Sequence, residues 1–397
     1  MVPTLRQRFN ANFTAEKYRA FLARLDKACG THIKFRNSET PCFYPKSLLD
    51  KMAAYGEELI RQLMSDSAYL AASQSVIPAE FNVAGESSHP EFIQVDFGLV
   101  RDHGGNIEPK LVEIQGFPSL YAYQNTLARE YISVYGLDPH LKFLLGGLEP
   151  QSYVALLRRA ILGDCAPEGV VLMEIDPLEQ KTLPDFLLTE RLCGVKAVNV
   201  MDIRKEGRRL LYARKGKFVP IDRIYNRVIA DELMRKQKTL PFSLCDQLDV
   251  EWAGHPNWFF RLSKFSIPYL RHPCVPHTQF LHQLDAMPDD PANYVLKPLF
   301  SFSGIGVVVG PTREELAAIP RGKRCQYILQ ERLDFEPLFE TPHGLAKAEA
   351  RIMYIWTDAL RPGPILVRMG RGKMMGVDHN RNQEWVGASA GFCPKEG

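Results

Sequence analysis

Apolar residues change their period along this chain, and each change marks a different kind of element. From residue 13 to 75 they recur at three- and four-residue intervals, as in Phe21, Leu22 and Leu25, then Leu48, Leu49, Met52, Tyr55, Leu59, Ile60 and Leu63. Such spacing lines one face of a helix, so the chain opens helically. The period drops to two at Phe92-Ile93-Gln94-Val95-Asp96-Phe97 and again at Pro109-Lys110-Leu111-Val112-Glu113-Ile114, with a polar turn at Gly104-Gly105-Asn106 between them. This pattern predicts two paired strands. A helix from near Ser119 to Val134 follows.

A second unit begins near residue 151. Helical Tyr153-Val154-Ala155-Leu156-Leu157 leads into the apolar run Gly169 to Ile175, a helix from Leu183 to Cys193, and a strand at Lys196 to Val200. That order is a βαβ unit. A hairpin-like stretch from Arg209 to Val219, a strand at Ile224 to Val228 and a helix from Asp231 complete a small Rossmann-like domain. From Glu251 the order becomes helix (Trp258 to Leu270), strand (Tyr294 to Lys297), glycine-containing loop and strand (Ser301 to Val309), helix (Thr312 to Ala318), then strands at 327–330, 350–356 and 364–368. Antiparallel α+β architecture is expected there. The predicted units are 1–145, 146–250 and 251–397.

Composition narrows the picture. The 397 residues are 45% hydrophobic and 24% charged, enough for a packed core, and the formal charge is only +3. No charge block for wrapping nucleic acid or coating a membrane is expected, and neither is expected as a partner. Charges interrupt the N-terminus, and no run approaches the roughly 18 apolar residues of a bilayer span, so a soluble cytoplasmic protein is the expectation. Eight scattered cysteines form no Cys-x-x-Cys pair and are expected to be reduced, mostly core residues.

Several familiar motifs are nearly present and fail mechanically. Gly304, Gly306 and Gly310 are one residue too widely spaced for a dinucleotide fingerprint and do not open a helix. Gly372-Lys373 is followed by Met374, not by the hydroxyl of a phosphate-binding Walker loop. Asp96-Phe97-Gly98 and Ala166-Pro167-Glu168 imitate kinase signposts without a catalytic loop. Asp378-His379-Asn380-Arg381-Asn382 starts like a calcium loop but lacks its glycine and its bidentate glutamate.

One constellation in the last third meets its requirements. Lys297 ends an apolar strand and is followed by Ser301-Phe302-Ser303-Gly304-Ile305-Gly306. A turn so rich in Ser301, Ser303, Gly304 and Gly306 brings backbone N–H groups close to phosphate oxygens, and the lysine adds a point charge. Tyr327 to Glu331 offers a strand edge for an adenine, and Glu331 and Glu336 could accept from ribose hydroxyls. Arg351 and Arg368 interrupt apolar strands, so each should face an anion or a carboxylate. Asn226 and Arg227, at the end of a Rossmann-like strand, are candidates for substrate binding.

The order of these parts resembles the ATP-grasp superfamily. Leu262-Ser263-Lys264-Phe265 with Val275-Pro276-His277-Thr278 downstream looks like the family segment whose lysine contacts ATP phosphate. Lys264, Lys297, the Ser301–Gly306 loop, Gln330-Glu331 and Arg351 then fall in family order. The early pair of strands, with Asp96 on one and Glu113-Ile114-Gln115 on the next, looks like the circularly permuted branch that includes eukaryotic glutathione synthetase and bacterial glutathionylspermidine synthetase. There an acidic residue precedes a Glu-x-Asn strand, and Gln115 departs from its asparagine.

The resemblance implies an α+β ATP-grasp fold of antiparallel sheets with flanking helices, plus a Rossmann-like domain and a helical N-terminal segment. It implies ATP and one or two Mg²⁺ ions held by Asp96, Glu113 and Gln115, with Lys264, Lys297, Ser301, Ser303, Gly304, Gly306, Gln330, Glu331 and Glu336 around the nucleotide. It suggests Arg351 for the nucleotide or acyl phosphate; Arg368 is a further catalytic candidate from its own place in an apolar strand, and Ser119, Asn226 and Arg227 are candidates for the substrate. The implied activity joins a small-molecule or peptide carboxylic acid to an amine, releasing ADP. A Mg-ATP-binding scaffold with little turnover, or a phosphotransferase with the same ATP site, are the alternatives.

Overall fold

A computed structural model describes residues 1–301, 304–380 and 382–395. The two alternating stretches form strands Phe92–Arg101 and Ile107–Gln115, paired antiparallel across a turn closed by backbone bonds between Asp102 and Asn106 and between Gly105 and Asp102. The free edge of Phe92–Arg101 pairs antiparallel with Gly344–Trp356, which continues to Leu360–Gly370 and Gly387–Phe392. Cys42–Phe43 adds a parallel end strand, and Phe339–Thr341 pairs beside Gly344–Trp356, making seven strands among the described residues. Early and late parts of the chain therefore share one sheet.

Period-two alternation sends alternate residues of this sheet to opposite faces. Ile93, Val95, Phe97, Ala350, Ile352 and Val367 face the helix Lys46–Ser65 and form one core. Gly56 admits Tyr354 there, since a Cβ would lie 2.1 Å from the phenol oxygen, which donates to the Ala53 carbonyl. On the other face Phe92, Met353 and Ile355 pack with helices Ala15–Cys29 and Tyr121–Tyr135. Each fully buried side chain of this kind contributes about 1.5–3 kcal/mol. The Tyr121–Tyr135 helix is capped from elsewhere in the chain: the buried Asp185 carboxylate accepts from the N–H groups of Leu120, Ala122 and Tyr123.

Strands Glu251–Ala253, Arg223–Asn226, Val170–Glu174 and Lys196–Asn199 form a parallel sheet, with Leu183–Cys193 as the crossover helix of the βαβ unit. A three-stranded antiparallel meander, Arg204–Glu206, Arg209–Arg214 and Lys217–Ile221, replaces the expected hairpin. The fourth sheet is antiparallel and orders Thr278–Phe280, Tyr327–Glu331, Tyr294–Pro298 and Val308–Val309.

Two further elements depart from the pattern. The helix expected over 258–270 divides into Asn257–Arg261 and a 3₁₀ turn Lys264–Tyr269, because extended Ser263 caps the second piece through the Phe265 N–H and Pro268 removes a donor. The strand expected from 301 shrinks to Val308–Val309, since Gly304 and Gly306 take φ of +74° and +73°. Gly387–Phe392 is a strand without an alternating signature, built on small residues buried on both faces. Five of the eight cysteines (29, 42, 193, 274 and 393) are buried. Among the described residues no helix is long and apolar enough to cross a membrane.

Candidate functional site

Strand register builds the site. In the large sheet Glu113 lies opposite Asp96, and Asp96 opposite Arg351; one step along, Glu349 lies opposite Arg368. Opposed residues share a face, so these charges meet in rows on the side not covered by the Lys46–Ser65 helix. Arg351 donates to both Asp96 carboxylate oxygens, with Nη2 to Oδ2 at 2.7 Å, and also to Gln94 Oε1. Arg368 donates to Asp96 and to Glu349. Burial pushes the Asp96 carboxyl up, but Arg351 and Arg368 outweigh it and hold the group well below the usual range. Burial wins at Glu349 instead: with Asp96 sharing Arg368, its carboxyl is raised.

A β-bulge next to Glu113 shifts the register between Asp96 and Phe97 and leaves Val112 without a cross-strand partner. The Val112 carbonyl accepts from Lys297 Nζ at 2.9 Å, and Lys297 also donates to Gln330 Oε1. Lys297 and Gln330 lie on one face of the smaller antiparallel sheet, which thereby meets the large one. Burial lowers the Lys297 ammonium to about 8, offset in part by Glu113 and deepened by Lys264. Lys264, at the start of the 3₁₀ turn, donates to Glu113 Oε1 at 2.7 Å and to the Ser301 carbonyl at 2.8 Å. Burial raises the Glu113 carboxyl, but Lys264 and Lys297 together bring the net shift downward. Gly116 lets these segments approach: its N–H donates to the Leu262 carbonyl, and a Cβ would lie 2.8 Å from the Trp258 carbonyl oxygen.

Between the two sheets lies a cavity of about 600 Å³. Of the residues singled out from sequence, it is lined by Glu113, Gln115, Ser119, Lys264, Lys297, Gly304, Gln330, Glu331, Arg351 and Arg368. Ser301 lines a small adjoining hollow of about 20 Å³ with Glu113, Gln115 and Lys264. Three buried polar atoms here lack a partner: Gln115 Oε1, Gln330 Nε2 and Ser301 Oγ. A buried polar atom left unpaired costs roughly 1–3 kcal/mol, so these point to a ligand offering a donor or cation at Gln115 and an acceptor at Gln330.

The remaining candidates sit elsewhere. Asp96 is 1% exposed and lies behind its two arginines, outside the cavity lining. Glu336 pairs with Arg101 at 2.8 Å, and Gly306 packs against Pro298; neither lines the cavity. Ser303 lies outside the described residues. Asn226 accepts from the Val228 N–H and ends its strand. Arg227 is 2% exposed, between the Phe117 and Phe186 rings, with Nε and Nη1 unpartnered.

Sequence reasoning passed over Gln94, Glu349 and Lys347. Glu349 and Lys347 line the cavity, and Gln94 orients Arg351. Gln94 carried a readable signal, two residues before Asp96 and hence on its face. Glu349 likewise precedes Arg351 by two.

No family model matches the chain, and no curated protein matches it in sequence. Among solved structures it is similar to a glutathione synthetase-like effector from Globodera pallida in its apo form, at 12% identity and a TM-score of 0.60, over 95% of this chain and 97% of that one. Similarity along nearly the whole length of both chains, at so low an identity, is similarity of fold: the chain has a mixed α+β fold of the glutathione synthetase-like kind.

Proposed function

We propose that this protein is an ATP-dependent carboxylate–amine ligase that forms an amide through an acyl phosphate and releases ADP and phosphate. The observation that carries the reading is the convergence of Lys264 and Lys297 on the Glu113–Gln115 strand across a cavity of nucleotide size. A carboxylate resists amines because oxide cannot leave. In the reaction proposed, a carboxylate oxygen of the acid bonds to the γ-phosphorus as the bond to ADP breaks. The amine then bonds to the acyl carbon, loses a proton, and phosphate departs.

The residues divide this work. Lys264 and Lys297 bear on the phosphates, and Arg368 and Arg351, held in place by Asp96, present guanidinium charge to the phosphoryl group in transfer. Gln330 Nε2 and Glu331 address the base and ribose. When bound, Mg²⁺ supplies positive charge that offsets the phosphate oxygens. Glu113 and the unpartnered Gln115 Oε1 are the donors that suit it, and Asp96, saturated by guanidinium, serves the arginines instead. Ser119 lines the cavity and is assigned to the acid substrate, whereas Arg227, buried between Phe117 and Phe186, lies outside the lining and takes no part in this reading. Lys181 and Asp378 both line the cavity and pair at 2.8 Å, linking two covering segments that keep water from the acyl phosphate.

An acid-by-amine screen read by mass spectrometry, with hydroxylamine trapping of the acyl phosphate, tests the reading. ADP appearing with an amide and a hydroxamate supports it; full activity in Lys297→Ala refutes the phosphate site. One observation favours a second reading, a Mg-ATP-binding scaffold with little turnover: Gln115 stands where the resembled family carries asparagine, which moves the oxygen donor along the strand face. Tight Mg-ATP binding with no ADP release across the whole screen would select it.

A further inference from the structure

The near-neutral total conceals one concentrated block of charge. Residues 204–217 contain seven lysines and arginines and a single acid, Glu206, so this segment alone is +6 and the rest of the chain is −3. The block is the three-stranded meander, none of whose residues lines the cavity. Leu210, Tyr212 and Ile221 turn inward to the core around Val171 and Ile224. Opposed residues of an antiparallel ladder share a face, so Arg204, Glu206, Arg209, Leu211, Phe218 and Pro220 turn outward. Phe218 is 44% exposed, and the Arg204 guanidinium lies 4.0 Å from its ring centroid. Lys215 and Gly216 both take positive φ (47° and 76°), a tight two-residue turn that holds Lys215 and Lys217 at the exposed tip.

The chain itself shows what this meander holds. Segment 246–249, Asp-Gln-Leu-Asp, docks on it: Asp246 pairs with Lys205 at 2.9 Å and Asp249 with Arg208 at 2.8 Å. The Asp249 N–H donates to the Arg208 carbonyl at 2.8 Å, and Leu248 packs against the core beneath. Arg214 is engaged by Glu168. Among the described residues Arg209, Lys215 and Lys217 make no ion pair, and Arg204 only stacks.

We propose that the outward face binds a second segment of the same chemistry, an acidic stretch of a partner protein interspersed with apolar residues. Arg204 and Arg209 on this face, with Lys215 and Lys217 at the exposed tip, pair with its carboxylates, and the Phe218–Pro220 surface receives an apolar side chain. A phosphate-bearing partner suits the face less well. Arg204 already covers one face of the Phe218 ring, where a base would stack or a bilayer would admit it, and outward Glu206 opposite Arg209 opposes a row of phosphates.

The test uses the full chain and fluorescence anisotropy with a labelled peptide of two Asp-Gln-Leu-Asp repeats. Binding should weaken with added salt, vanish when both repeats become Asn-Gln-Leu-Asn, and fall about tenfold or more in the R204S/R209S/K215S/K217S variant. Single charge reversals at Arg209 and Lys215 provide a second measure should the quadruple variant melt early, and each should weaken binding. Unchanged affinity in these variants, no binding by the native chain, or stronger binding to phosphatidylserine vesicles or a thymidine oligonucleotide than to the peptide would overturn the proposal.

Discussion

At the residue scale, the site rests on charges that are costly alone and stable in company. Arg351 and Asp96 are both almost fully buried, so Arg351→Ala leaves a carboxylate with half its partners gone. Breaking a buried pair costs about 3–5 kcal/mol, and urea denaturation should register that loss; a change under about 1 kcal/mol would show the pair to be dispensable. Lys297 gives the opposite sign. Its folded pKa, about 8, lies below the ordinary 10.5, so between these values the unfolded chain holds the proton and the folded one does not. Native stability should therefore rise with pH across that window, and below it the buried ammonium carries a cost of about a few kcal/mol. Lys297→Met should melt higher than the native protein at pH 7, with the gap closing towards pH 10, while ATP affinity falls; parallel melting curves at all pH values would refute this. The same depression predicts that nucleotide binding takes up protons near pH 8, measurable by calorimetry in buffers of different ionisation enthalpy. That Arg351 needs an anion was legible from a guanidinium interrupting an apolar strand. That Asp96 supplies it was not, because strand pairing across some 250 positions sets the partner.

At the element scale, one glycine sets the distance between the metal-donor strand and the lysine segment. Gly116 follows Gln115 directly, and any Cβ there meets the Trp258 carbonyl and Leu262 Cβ inside 3.0 Å. Gly116→Ala should push the 258–264 segment outward, lengthen the Lys264–Glu113 pair and weaken ATP binding about tenfold, with secondary structure by circular dichroism unchanged. Unaltered ATP affinity would show that the segment yields without cost. The paired strands at 92 and 107 were readable because half-buried strands alternate. The bulge that frees the Val112 carbonyl was not, since it arises from a register shift against a partner strand. Nor was Gly387–Phe392, whose small residues pack between neighbours on both faces and so carry no period.

At the scale of the whole molecule, the cavity is walled by strands from both ends of the chain, and a ligand there ties them together. Glu113 and Gln115 come from the early strands of the large sheet, Lys297 and Gln330 from the small sheet, and Arg351 and Arg368 from the late strands. Bound nucleotide is therefore linked to global unfolding: a ligand at a hundred times its Kd stabilises the native state by about 2.7 kcal/mol. Mg-ATP should raise the melting temperature by about several degrees and slow proteolysis in the early and late segments alike. ATP with a chelator should achieve less of this, and the difference between the two conditions measures the metal. Gln115→Leu should abolish that difference while keeping the metal-free shift, since it removes the unpartnered Oε1 and leaves Lys264 and Lys297 in place. If Gln115→Leu retained the whole magnesium-dependent increment, Gln115 would be no metal donor, and the proposed division of labour between Gln115 and Asp96 would fall with it.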